Sequence, residues 1–485
     1  MKLSSKASIF AVAAIASSVN CKAEKTNIVF IMADDLGWSD VAHNGAKFYE
    51  TPHFDKLTAD GIKFTRSYTS GPNCAPTRAS LISGMYTPRH QIWTPNARSK
   101  GSFSNMKLVV PNRDNSKGDD LFPSKLDLDP KVESVAEVMN KAGYKTAMMG
   151  KWHCGPDQQG FDIFTADGSS KPHKKMYGSP TVAKTLTDAA CKFIHENKTK
   201  PFFLYLAHWD VHSPHRAEKK VVEKYKNKLK NGKWDHKWNP TYAAMIEAFD
   251  KSIGKVREAV QKAGIANNTL IVVTSDNGAI GQVASGPLKG AKGSLFEGGV
   301  HVATSMVWEG VTKPGSSCNI PFSSVDYMPT FAELGGAPLP KNQPVDGKSL
   351  VPLLNGKETL QNRSIFWHYP LYLQASGKPV LPIAETDKMY WRSTPSSMII
   401  KGDWKLIHFY EDNTVQLYNI AKDPYEKNEC SKTTPEIAQV MKKELVNWVS
   451  ETKAPVPNKI NEAFSTSSSE KGGKGKKKKS KKKKK

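Results

Sequence analysis

The sequence predicts an α/β protein: a large mixed, mostly parallel sheet sandwiched by helices, followed by a small domain with an antiparallel sheet and a closing helix. Three observations carry this. Short apolar, β-branched runs recur at residues 26–33, 144–149, 202–206 and 269–275, the pattern of strands buried on both faces. Helical stretches at residues 131–142 and 242–263 alternate with them, as in a parallel sheet covered on both sides. After Asn362 the pattern changes to short strands at 365–368, 397–401, 404–409 and 415–418, and then a helix over 435–449. A chain of 485 residues exceeds one typical core. The expected divisions are a leader at 1–23, a catalytic domain at 24–360, an α+β subdomain at 361–465 and a lysine-rich tail at 466–485.

The leader carries Lys2 and Lys6, an apolar stretch at 9–16 and small residues before Glu24, the layout of a secretory signal peptide. Its apolar run is too short to span a bilayer, and no later stretch reaches about eighteen unbroken apolar residues. No transmembrane segment is therefore expected. Cys21 suggests a lipoprotein site, but Asn20 directly before it fits poorly. Cleavage after Ala23 is preferred, with export to the periplasm or the extracellular space.

The first strand ends in Asp34-Asp35, and ligands of open α/β sheets bind beyond the carboxyl ends of strands. Alone, an Asp-Asp pair reads as a solvated turn. The strand at 269–275, however, delivers Asp276-Asn277-Gly278 to the same kind of position. Three carboxylates and an amide oxygen form a hard donor set, suited to Ca²⁺ or Mg²⁺ and poor for Zn²⁺.

Between these strands lies Asn73-Cys74-Ala75-Pro76-Thr77-Arg78-Ala79-Ser80. Pro76 fits the first turn of a helix that residues 77–85 continue, so Cys74 sits at the positive end of its dipole. A thiol there reads as a nucleophile, or else as a buried or disulfide-bonded cysteine. Three more stretches carry chemistry. They are Gly150-Lys151-Trp152-His153 after a strand, His208 to Pro214 after another, and the Gly-rich loop with Lys289 and Lys292 that ends in Glu297-Gly298-Gly299. Taken singly, each His or Lys reads as a surface or hydrogen-bonded residue.

The C-x-P-x-R run followed by Ala79-Ser80-Leu81 resembles the signature of the type I, formylglycine-dependent sulfatases of the alkaline-phosphatase-like superfamily. The other five stretches match the family's motifs in order, from about residue 27 to about residue 417. The resemblance implies an alkaline-phosphatase-like fold and oxidation of Cys74 to formylglycine (3-oxoalanine) by a maturation enzyme. It implies one Ca²⁺, with Mg²⁺ as second choice, held by Asp34, Asp35, Asp276, Asn277 and an oxygen of the modified Cys74. Arg78, Lys151 and Lys292 become fixed cations around the sulfate, and Lys151, His212 and Lys292 contact substrate. In related sequences the catalytic histidine lies two residues before a proline, which selects His212 over His208 and His215. His212, or else Lys292, protonates the leaving group, and His153 is the base that releases sulfate from a covalent sulfo-enzyme. Cys154 stands where an aliphatic residue is common. His301 stands where Arg is common, which makes it a candidate substrate contact. The implied activity is hydrolysis of a sulfated carbohydrate. A formylglycine-dependent phosphonate or phosphate ester hydrolase is the alternative, and an inactive polyanion-binding protein the third reading. Relatives using Ser or Thr with two zinc ions are disfavoured by Cys74 and the oxygen-only ligands.

The formal net charge is +24. Without three leader lysines and eleven tail lysines the body still carries +10, as suits attraction of polyanions. In an exported chain the tail reads as a contact for sulfated polysaccharide or an acidic cell envelope, or as a solvated segment, and not as a nucleic-acid arm. The insert at 94–128 is polar and is expected as a loop over the mouth of the site, with a surface excursion as the other reading. A second basic loop is expected at 219–237. Cys154, Cys191, Cys318 and Cys430 allow one or two disulfides, and Asn197, Asn267 and Asn362 stand in glycosylation sequons.

Overall fold

The computed structural model describes residues 25–113, 116–166, 176–234, 238–280, 286–357, 359–374 and 391–464. The leader, Cys21 and the lysine tail lie outside the described residues. The first ten strands are β1 (Asn27–Ala33), β2 (Ile62–Phe64), β3 (Ser67–Tyr68), β4 (Lys145–Gly150), β5 (Ile163–Ala166), β6 (Phe202–Ala207), β7 (Thr269–Ser275), β8 (Thr304–Trp308), β9 (Ser316–Cys318) and β10 (Phe322–Ser323). Eight of them form one sheet in the order β5-β4-β6-β1-β7-β8-β2-β9, and β3 pairs with β10. Within the large sheet only β8 runs antiparallel to its neighbours. The expected fold class is found.

Side chains alternate across each strand, so β1 feeds two cores at once. Ile28, Phe30 and Met32 pack on one face with the helices Cys74–Ser83, Val135–Lys141 and Tyr327–Gly335. Val29, Ile31 and Ala33 pack on the other with Val182–Asn197 and Pro240–Lys262. Burial on both faces is why these strands read as unbroken apolar runs. β1 lies centrally between β6 and β7, which brings its carboxyl end and that of β7 side by side. That end carries the acidic residues.

The remaining strands are β11 (Ser364–Tyr369), β12 (Leu373–Gln374), β13 (Trp391–Ser393), β14 (Ser396–Lys401), β15 (Trp404–Phe409) and β16 (Thr414–Asn419). The antiparallel sheet β11-β14-β15-β16 is closed by the helix Pro435–Glu451. A buried ion cluster ties it to the loop that ends in Glu297. Lys405 on β15 is fully buried and lies 2.9 Å from Glu297 Oε1 and 2.8 Å from Glu426 Oε1. Lys405→Met leaves two buried carboxyl groups without their cation. It should cost about 3–5 kcal/mol, read as a lower denaturation midpoint, and an unchanged midpoint would show that the cluster does not join the two parts.

Two local expectations are corrected. The nucleophile helix, Cys74–Ser83, ends two residues before the expected 85, because Gly84 turns left-handed (φ 68°) and its N–H caps the Ser80 carbonyl. The expected basic loop after His212 is largely a helix, Lys219–Asn231. Its Tyr225 is buried, and Lys224 and Lys228 pair with Glu50, so the lysines support a docked helix. The described cysteines form no disulfide. Cys191 and Cys430 instead lie 3.6 and 3.2 Å from the Lys255 and Leu417 carbonyls. Among the described residues no helix is long and apolar enough to cross a membrane.

Candidate active site

Strand ends and two loops assemble the site. Asp34 and Asp35 leave the end of β1, and Asp276 and Asn277 the end of β7. A close contact fixes the second pair: an added Cβ at Gly278 would lie 1.9 Å from the Gly298 carbonyl oxygen, so only glycine lets these loops touch. The Lys292 loop is stitched to both neighbours. Lys292 N–H donates to the Ala279 carbonyl at 2.8 Å, and Gly293 N–H donates to the Pro72 carbonyl at 2.8 Å, beside the nucleophile helix.

Cys74 opens that helix and is almost fully buried. One ligand atom each of Cys74, Asp34 and Asp276 lie within 4.8 Å of one another, as do those of Asp34, Asp35 and His212. The carboxylates are matched by buried cations. Lys151 Nζ donates to Asp34 Oδ2 at 2.5 Å, and Lys292 Nζ to Asp35 Oδ1 at 2.5 Å. Arg78 donates through Nε and Nη2 to Asp276 Oδ2 at 2.9 and 2.7 Å.

Burial and charge act in opposition here. Burial pushes Asp34 up to about 7 against the pull of Lys151. For Asp276 burial is outweighed by Arg78, Lys151 and Lys292, which hold the carboxyl well below its ordinary range. Burial would lower Lys292, but Asp35, Cys74, Asp34 and Asp276 together outweigh it and keep the amine charged.

Within this cluster, Asp34 Oδ1, Asp35 Oδ2 and Asn277 Oδ1 are buried and have no hydrogen-bond partner among the described residues. Buried acceptors are rarely left so. They belong to the residues singled out as ligands, and an oxygen-only set fits a hard divalent cation. The site therefore suits the implied metal.

A cleft of about 760 Å³ opens over this cluster and is lined by Asp35, Cys74, His153, His212 and Lys292. His153 takes a left-handed backbone (φ 63°), a conformation a non-glycine residue adopts at some cost. His212 Nδ1 lies 2.5 Å from the Ser213 carbonyl, and its Nε2 lies 3.8 Å from Asp35 Oδ2. His208 is fully buried, 3.0 Å from Ser252 Oγ, with burial pushing its pKa down to about 3. It does not line the cleft; His215 does.

Not every candidate reaches the cleft. Arg78 is fully buried, and its remaining donors go to the Lys151 carbonyl at 2.6 Å and Tyr205 at 3.3 Å. Its place is behind Asp276, which it orients. Lys151 likewise stands behind Asp34. His301 is buried between Trp38 and Tyr68, 2.9 Å from the Thr65 carbonyl and 3.0 Å from Glu297, away from the cleft lining. Sequence reasoning did not single out Asn73, Arg98, Lys100 or Arg392, all of which line the cleft. Asn73 adjoins Cys74, and Arg98 and Lys100 belong to the insert expected over the mouth. Arg392 has no local signal at all.

The family model "Sulfatase" matches residues 26–337, and "N-sulphoglucosamine sulphohydrolase, C-terminal" matches residues 291–452. The chain is 28% identical to a sulfatase of Formosa agariphila, over 89% of this chain and 90% of that one. It is also 28% identical to N-acetylgalactosamine-6-sulfatase of Mus musculus, over 70% and 68%. It resembles the crystal structure of Ps i-CgsB in complex with k-i-k-neocarrahexaose, with a TM-score of 0.69 at 27% identity over 89% of this chain and 94% of that one. A family model covering well over half the chain, on a fold and a set of motif residues that agree with it, settles the family: the chain belongs to the sulfatases, alkaline-phosphatase-like enzymes that hydrolyse sulfate esters.

Proposed function

We propose that the protein is an exported sulfuric ester hydrolase acting on a sulfated carbohydrate, through a formylglycine made from Cys74. The observation that carries the reading is the placement of Cys74. It stands at a helix N-terminus, against Asp34 and Asp276, in a cleft shared with His153, His212 and Lys292. Relatives named for sulfated sugars, and a neighbour holding a neocarrahexaose, support a carbohydrate.

Asp34, Asp35, Asp276 and Asn277 would hold one Ca²⁺. When both groups are in place the cation polarises sulfate oxygens, and the aldehyde hydrate supplies an attacking oxygen and a second hydroxyl. The residues do the rest. The cations Arg78, Lys151 and Lys292 neutralise the three carboxylates, so an added divalent ion leaves the site positive and receptive to an anion. Lys292 faces the cleft and binds the sulfate. The Ser213 carbonyl only accepts, so His212 Nδ1 carries the proton between them and Nε2 is the nitrogen that exchanges one with the leaving oxygen. His153 takes the proton from residue 74 that sulfate release requires. Arg78 and Lys151 position the carboxylates from behind.

Elemental analysis should find one calcium per chain, and its removal by a chelator should lower the denaturation midpoint and abolish turnover. Two zinc ions per chain would contradict the assignment. The activity is tested by initial rates on sulfated sugars, 4-nitrophenyl sulfate, steryl sulfate, and aryl phosphate and phosphonate esters. Sulfate esters should be preferred. A faster phosphonate would replace the activity, and a preferred steryl sulfate would replace the carbohydrate.

A further inference from the structure

The residue directly before Cys74 holds a buried hydrogen-bond donor with no acceptor among the described residues. Asn73 is the N-cap of the helix Cys74–Ser83, yet its side chain makes no capping hydrogen bond. An N-cap oxygen ordinarily accepts from the N–H of the second or third helical residue. Here the third is Pro76, which has no N–H to give. The helix therefore does not account for the asparagine side chain.

Asn73 is 4% exposed, and its Nδ2 is buried without a hydrogen-bond partner among the described residues. Buried donors are rarely left so, because their lost hydration goes uncompensated. The residue belongs to the cleft lining, together with Cys74 and Lys292. Its backbone carbonyl accepts from Thr77 N–H at 3.3 Å, which fixes it at the helix start. Its Oδ1 stands 3.7 Å from where a Cβ on Gly293 would lie, against the loop that carries Lys292. That loop is held in place by Gly293 N–H, which donates to the Pro72 carbonyl at 2.8 Å. The amide thus lies at the seam between the nucleophile helix and the sulfate-binding lysine.

The chemistry of the ligand follows from the kind of partner required. Asp34 Oδ1, Asp35 Oδ2 and Asn277 Oδ1 are acceptors, and a divalent cation answers all three. It does not answer an N–H, which needs an oxygen. A sulfate group lying between residue 74 and Lys292 brings oxygens to this seam.

We propose that the Asn73 side-chain amide donates a hydrogen bond to a sulfate oxygen and is a further catalytic residue. This rests on the sulfatase reading and deepens it. As charge spreads over the sulfate oxygens, a fixed neutral donor stabilises it without adding charge to the site.

Asn73→Ala and Asn73→Asp test this, with rates counted per chain carrying formylglycine at residue 74. In Asn73→Ala, kcat/KM on 4-nitrophenyl sulfate should fall by about 10²–10³, the scale of losing one oxyanion donor. Inorganic sulfate, followed by calorimetry, should bind about tenfold or more weakly. The denaturation midpoint should stay close to wild type, because no cap is lost. Aspartate has the same shape and caps helices equally well, so Asn73→Asp would preserve a purely structural role. It should instead be at least as impaired as Asn73→Ala, because an acceptor replaces the donor. Undiminished sulfate affinity in Asn73→Ala, or wild-type rates in Asn73→Asp, would overturn the contact. So would a rate loss that vanishes once formylglycine content is counted. If wild type turns over no sulfate ester while its sulfate affinity still depends on Asn73, the activity fails and the contact stands.

Discussion

Cys74→Ala should abolish turnover of both aryl and sugar sulfates, with a loss on the order of 10⁶ in kcat, the scale of nucleophile deletion in other hydrolases. The side chain is small, and the helix it opens is held by other residues. Pro76 needs no donor in the first turn, Gly84 caps the end, and Arg78 anchors the middle to Asp276. Circular dichroism and the denaturation midpoint should therefore stay close to wild type. Cys74→Ser should be equally inactive in a host whose maturation enzyme cannot oxidise serine. A serine offers one hydroxyl, and release of sulfate needs a second. Substantial activity in Cys74→Ala would remove the nucleophile from the account.

The second large effect depends on the leaving group. A nitrophenolate departs without a proton, whereas a sugar alkoxide is several pKa units more basic and requires one. His212→Ala should lower kcat on sugar sulfates by about 10²–10⁴, the range of general acid catalysis, and on 4-nitrophenyl sulfate by less than about tenfold. His153→Ala should slow both substrates alike, because its step follows departure of the leaving group. Labelled sulfate should then remain on the peptide that carries residue 74. Equal losses on both substrates for His212→Ala, with no retained label for His153→Ala, would reverse the assignment.

What was legible in the sequence was local. β1 and β7 announce themselves because burial on both faces demands unbroken apolar runs, and their carboxyl ends carry Asp34, Asp35, Asp276 and Asn277. The Cys74 run carries its own helix-start signal in Pro76, whereas the stop at Gly84 was read past. Less legible was anything decided by a distant partner. Lys219–Asn231 reads as a basic loop until Glu50 and Glu247 are seen to neutralise Lys224 and Lys228, and Tyr225 to dock it. Arg78 and Lys151 carry charge that the sequence cannot aim, and the structure aims both at carboxylates rather than at the cleft. His301 was a candidate contact by position, yet Glu297 and two aromatic rings enclose it. Arg392 was invisible because only the packing of the C-terminal segment against the Lys292 loop brings it to the site. Charge says that a residue interacts; only the fold says with what.

The central claim is the chemical identity of residue 74. Trypsin should release residues 67–78, bounded by Arg66 and Arg78, as one peptide. In catalytically active protein, mass spectrometry should show this peptide lightened by conversion of the cysteine CH₂–SH to an aldehyde, with the fraction converted tracking specific activity across preparations. Full activity in protein whose residue 74 is entirely thiol would contradict the account.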